Sequence, residues 1–165
     1  MGGRKSRRGN AVIEFTLVAI PLIFVMISMV EICRGMWDYH SLAQAVKAAT
    51  RAASTRGAGC AGAGCAMTVG QVESTIAAYA PGIPASAMNV TLTSNGGTVT
   101  CNPLSSCKGS ATVWPSASGN TAGSDISIAA SYQFTSAVSM FVPGNQGMQF
   151  SGVTLQAKSR QTLLF

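Results

Sequence analysis

The sequence predicts an α+β protein: one long N-terminal helix, partly transmembrane, that carries a small antiparallel β-sheet head with a short helix. Three observations predict it. Residues 15–30 contain no charge at all. Apolar residues recur at three and four positions up to about residue 56, and from Met88 they recur at two. Finally, apolar residues concentrate in the first third, while Gly, Ser, Thr and Ala dominate the remainder, an asymmetry foreign to an ordinary soluble globule.

Length allows a rod and one modest head within 165 residues. The expected division is a basic leader (1–9), a long helix (10–56, membrane-spanning to about 33), a Gly-rich cysteine connector (57–67) and an extracytoplasmic α+β head (68–165). Charged residues make up only 10% of the chain, and the net charge is +6. Arg4, Lys5, Arg7 and Arg8 stand immediately before the apolar run, where positive charge holds the N-terminus of a membrane segment in the cytoplasm. Elsewhere there is no basic patch interleaved with aromatics, so no nucleic-acid partner is expected.

Residues 11–33 hold Glu14 and Glu31 as their only charges, long enough for a spanning helix of about 20 residues. A cleaved secretory signal needs a small-x-small site after its core, and Val30, Glu31, Ile32, Cys33 and Arg34 offer none. A lipoprotein signal at Cys33 meets bulky Ile32 and charged Glu31. A retained anchor in the membrane fits best. Pro21 falls inside the run, where membrane helices tolerate proline as a kink.

The helical pattern continues through Met36, Tyr39, Leu42, Ala43, Val46, Ala49, Ala52 and Ala53. Arg34 and Asp38 have the spacing of an i,i+4 ion pair. Gly57 and the glycines after it end the helix. Gly57, Gly59 and Gly62 also have dinucleotide-loop spacing. They follow a helix instead of a strand, and no acidic residue stands about 20 positions on, so no cofactor is expected.

In the head, Thr68 and Gln71 form a capping box for a short helix over residues 69–80, apolar at Val69, Val72, Ile76 and Ala80. Met88, Val90 and Leu92 alternate with Asn89, Thr91 and Thr93, and Asn95-Gly96 turns the chain into a second strand over residues 98–101. Residues 111–114 are a short third candidate strand, 125–135 and 152–160 are longer ones, and 115–124 read as a loop.

Cys60, Cys65, Cys101 and Cys107 fall outside the membrane in two close pairs, and such thiols oxidise outside the cytoplasm. Of the three possible connectivities, the local one is expected: Cys60 with Cys65 and Cys101 with Cys107. A zinc site lacks its C-x₂-C spacing, and the single histidine, His40, sits on the rod. The head holds only Glu73 and Asp125 as acids, so no acid/base pair can be named. Ser105 and Lys108 match S-x-x-K with no companion motif. Neither enzymatic activity nor a small-molecule substrate is expected.

Glu14 demands a reason, because a carboxylate at the centre of a bilayer costs about 2.5–3.5 kcal/mol. Gly9, Glu14 and Phe15, between a basic tip and an apolar helix, resemble the prepilins processed by an aspartic prepilin peptidase, of the Flp or tight-adherence kind. The wider set of Arg8, Val12, Leu17, Pro21, Glu31, Arg34, Leu42, Ala45, Ala49 and Arg51 resembles the TadE-like pseudopilins over residues 8–56. Cys33, Lys47 and Ala48 depart from the family's usual residues.

The resemblance implies a pilin-like fold, cleavage between Gly9 and Asn10, and recognition or assembly through Glu14 and Phe15. Glu14 would then pair with the N-terminal amine of a neighbouring subunit. The implied partners are the bacterial inner membrane, the peptidase, other pilins and pseudopilins, and the assembly platform. The expected function is that of a non-enzymatic pseudopilin or minor pilin. The alternatives are a major filament subunit and an uncleaved, membrane-anchored binding module.

Overall fold

The computed structural model describes residues 8–56, 65–136 and 152–163. Helix α1 runs over Arg8–Ser54, 47 residues and about 70 Å at 1.5 Å per residue. It passes through Pro21 as continuous helix. Among the described residues its apolar half carries no part of the head: none of the most hydrophobic window is buried, and Phe15, Leu17, Val18 and Phe24 stand exposed.

The other half is a core element. Leu42, Ala45, Val46, Ala49 and Ala53 are fully buried along one stripe, at the three and four residue steps that keep side chains on one helical face. Burying Leu42 or Val46 contributes about 2 kcal/mol each. The periodicity also puts Met36 and Tyr39 on this stripe, and here the structure differs, since both are exposed. The covered face of α1 is already shielded at Glu31, whose side chain is 14% exposed, and continues through Gly35, Asp38 and Leu42.

Helix α2, Val69–Tyr79, starts at the capping box: Gln71 N–H donates to Thr68 Oγ1, and Thr68 N–H donates to Gln71 Oε1. Val69, Val72 and Ile76 are buried, and so is Glu73, which the apolar spacing does not anticipate. Strands β1 (Met88–Ser94), β2 (Gly97–Cys101), β3 (Asp125–Phe134) and β4 (Val153–Thr162) form one antiparallel sheet in the order β2-β1-β3-β4. Alternation fixes its register: Val90 faces Ala130 and Leu92 faces Ile128, while Ala130 faces Ala157 and Tyr132 faces Leu155. These residues turn one face of the sheet onto α1 and α2. Asn89, Thr91, Thr93, Ser127, Gln156 and Lys158 occupy the other face, a polar surface of the kind antiparallel sheets show to water.

The expected strand over residues 111–114 is not a strand. It makes one isolated bridge, Thr68 to Val113, because Trp114 N–H donates to Met67 and Val69 N–H donates to Thr112. This stretch closes the start of α2 and leaves the sheet at four strands. Cys101 and Cys107 form a disulfide with Cα atoms 5.6 Å apart, across a short 3₁₀ turn whose Leu104 is buried. Cys65 is disulfide-bonded as well, while Cys60 lies outside the described residues. Cys33 is a free, exposed thiol.

Candidate functional site

The sequence nominates the tip of α1. Arg8 opens the helix, so the backbone of Gly9 and Asn10 is helical, while Arg4, Lys5 and Arg7 lie outside the described residues. Glu14 stands one turn beyond Asn10, about 6 Å along the axis, and Glu14 and Phe15 are both exposed. The flanking backbone is well formed: Thr16 Oγ1 donates to the carbonyls of Val12 and Ile13 at 3.1 and 2.9 Å. Gly9, Asn10, Glu14 and Phe15 thus lie within two turns of one helix.

A second feature escaped sequence reasoning: the junction where the head grips the rod. Phe134, at the end of β3, packs on Gly35, where an added Cβ would lie 3.8 Å from its ring. The Arg34 guanidinium stands over the same ring, 5.8 Å from the centroid. The one available signal is a glycine in the middle of a strong helical pattern, which usually has a packing reason.

The charges at this junction also correct an expectation. Arg34 does not pair with Asp38; its Nη1 bonds Glu31 Oε1 at 3.1 Å, an i,i+3 bridge. The reason is that Asp38 turns toward the head, where a Cβ on Gly82 would be 3.8 Å from Oδ1. Burial there pushes the Asp38 carboxyl above its ordinary range, and the nearby positive charge of Arg34 pulls it partly back.

Farther along the rod, Ser54 Oγ bonds Gln161 Oε1 at 2.9 Å, and Arg56 donates to Gln71 Oε1 at 3.3 Å. These contacts tie the end of α1 to β4 and α2. On the far side of the sheet, Asp125 accepts from Arg160 and from Thr162 Oγ1. The two bonds hold its carboxyl below the ordinary range.

The head's polar face has a shallow depression of about 390 Å³ between β1, β3 and β4. Asn89, Thr91, Ser131, Gln156 and Lys158 line it, with no carboxylate, imidazole or thiol among the lining residues. Among the described residues no group of three or more His, Cys, Asp or Glu could hold a metal ion. Ser105 and Lys108 meet only through the backbone, Lys108 N–H donating to the Ser105 carbonyl at 3.2 Å.

Among known families, residues 9–51 fit the family model described as TadE-like protein. The matched stretch runs from Gly9 to Arg51, through the tip, the apolar span and the head-bearing stripe. No curated protein and no solved structure matches the chain.

Proposed function

We propose that this chain is a non-enzymatic pseudopilin or minor pilin of a Tad-type pilus or secretion apparatus. It is inserted in the bacterial inner membrane as a precursor, cut after Gly9 by a prepilin peptidase, and then incorporated into the assembly or used to prime it. The observation that carries this reading is the apolar half of α1, none of whose most hydrophobic window is buried among the described residues, inside a TadE-like match that begins at Gly9.

The physical logic follows from the two ends of that span. Arg4, Lys5, Arg7 and Arg8 keep the leader in the cytoplasm, where the bond after Gly9 is open to the peptidase. Cleavage frees the amine of Asn10 and makes Glu14 the fifth residue of the mature chain. A carboxylate in lipid-like surroundings is costly alone and strongly favoured when paired. Glu14 therefore rewards the subunit that places an N-terminal amine beside it, which sets the register of packing as the helix leaves the bilayer.

Mass spectrometry of the protein purified from membranes with an active peptidase tests the reading. A mature chain starting at Asn10 is expected, and retention of residues 1–9 overturns the processing step. Scarcity in sheared filaments separates a minor pilin from a major subunit, which would dominate them.

A further inference from the structure

The exposed apolar side chains outside the span are unevenly placed. Beyond Ile32 the large ones among the described residues are Met36, Trp37, Tyr39, Tyr79, Val113 and Val153. Met36, Trp37 and Tyr39 follow directly on the apolar run, and Trp37 is 66% exposed. Val153 is 59% exposed and pairs in the sheet with Phe134, the residue that packs on Gly35. Val153 and Trp37 are therefore at the same height along the rod. Val113 sits at the opposite end of the head, bridged to Thr68, near where Gln71 meets Arg56.

Height along the rod also matches a bilayer. The stretch from Val12 to Ile32 rises about 30 Å, the thickness of the hydrocarbon core, and Arg8 to Trp37 rises about 43 Å, the thickness with both headgroup layers. Tryptophan and tyrosine collect at that boundary because each ring has an apolar body and a polar edge. Arg34, half exposed, stands one turn below Trp37, its charge balanced by Glu31 and its guanidinium over the Phe134 ring, at the depth where charged side chains meet the headgroups.

We infer that Trp37 and Tyr39, with Arg34, seat the precursor at the outer water–lipid interface, and that the base of the head at Val153 rests in the same headgroup layer. The inference rests on the membrane-inserted reading above. It sets the register of the span: Glu14 lies about 3 Å inside the inner edge of the hydrocarbon, by two residues of rise from Val12, close enough to reach the cytoplasmic headgroups until the chain is extracted. It also places Trp37 and Val153 in one layer, so extraction must move both out of lipid together.

Fluorescence quenching in vesicles tests it. The chain has two tryptophans, and Trp114 is 1% exposed, so Trp37→Phe isolates the signal of Trp37. Full-length protein is reconstituted in phosphatidylcholine and phosphatidylglycerol vesicles carrying a spin label near the carbonyls or near the chain ends. Emission from Trp37 is expected to fall several-fold more with the shallow label than with the deep one. Val153→Trp in the Trp37→Phe background is expected to behave the same way, and Phe24→Trp in that background to favour the deep label. Quenching of the Phe24 reporter with none at position 37 overturns the interfacial seat while leaving the span intact; this is also the result expected if a second copy of the chain covers Trp37. Stronger deep than shallow quenching at position 37 overturns the register. An unquenched reporter at 153 overturns the contact of the head with lipid. No quenching at position 24 overturns the membrane-inserted reading itself.

Discussion

Gly35 and Phe134 meet across the junction of rod and head, the glycine leaving a flat patch of helix on which the aromatic ring lies, with 3.8 Å between the ring and the place a Cβ would take. That distance is ordinary van der Waals contact, so Gly35→Ala adds a methyl without strain and gains helix propensity of about 0.8–1 kcal/mol. The full-length protein in detergent is expected to unfold later on heating by a few degrees. Phe134→Ala, at a site 8% exposed, is expected to cost about 3 kcal/mol and to speed proteolytic release of the head from the rod. An unchanged cleavage rate would show that the ring does not clamp the junction.

Glu14 is expected to matter after insertion, not for it. Glu14→Ala removes a carboxylate near the inner edge of the hydrocarbon, where its cost is below the about 2.5–3.5 kcal/mol of the bilayer centre, so membrane insertion should be equal or better. Loss of one partner of a desolvated ion pair costs about 3–5 kcal/mol, so incorporation into the assembly should fall by a factor of ten or more. Membrane fractionation and sheared-filament blots of the same cells read both quantities. Unchanged incorporation removes the pairing with a neighbouring amine.

Asp125 gives the head a defined acid response. Arg160 and Thr162 stabilise its charged form, so the folded-state value lies below the ordinary 3.8. A carboxyl depressed in the folded state adds stability that is fully present above its unfolded value and is lost as the pH falls through the folded one. The loss should therefore begin below about pH 4. Side-chain NMR titration is expected to show Asp125 titrating below 3.8 and moving back toward it in Arg160→Gln. Asp125→Asn should flatten the acid limb of a stability curve, and an unaltered limb would mean the two bonds are not formed in solution.

The Cys101–Cys107 bridge closes a short loop, with a sequence separation of 6. The chain-entropy account gives a loop of that size about 2 kcal/mol. Replacing both cysteines by alanine is expected to lower the melting temperature by roughly 10 °C, at about 4–8 °C per kcal/mol for a domain this small. The buried Leu104 within the loop should keep the fold otherwise intact, so the sheet's circular dichroism serves as the control.

Local signals carried most of these elements into the sequence. The apolar run, the capping box at Thr68 and Gln71, and the alternation of Met88, Val90 and Leu92 each depend on residues a few positions apart, so α1, α2 and β1 could be read off directly. The tip residues Gly9 and Glu14 were legible as a motif, although a motif names residues without saying what they touch. What escaped depends on partners far along the chain. Residues 111–114 look like a strand until Met67 and Thr68 take their hydrogen bonds. Spacing alone pairs Arg34 with Asp38, because nothing nearby in the sequence reveals that Gly82 and Phe134 stand over that turn of the helix. Met36 and Tyr39 keep the apolar period of the stripe, yet Gly35 and Asp38 form the side of those turns that meets the head, and no local pattern encodes which side is covered.

Gly70 is the counterpart of Gly35 and should respond with the opposite sign. Both glycines lie in helices, so propensity alone favours alanine at each. At Gly70, however, a Cβ would stand 2.9 Å from the Ser110 nitrogen, 3.0 Å from its carbonyl oxygen and 3.1 Å from the Gly109 carbonyl carbon. These are backbone atoms, and Ser110 cannot retreat without losing the bond its carbonyl accepts from Gly70 N–H at 3.1 Å. Forcing a methyl into such a gap typically costs about 1–3 kcal/mol, more than the propensity gain. Gly70→Ala is therefore expected to destabilise the head, while Gly35→Ala stabilises the junction. Measured side by side in thermal melts of the full chain, the two shifts should have opposite signs; a rise in both would mean that the 109–110 turn yields freely and that α2 is not pinned there.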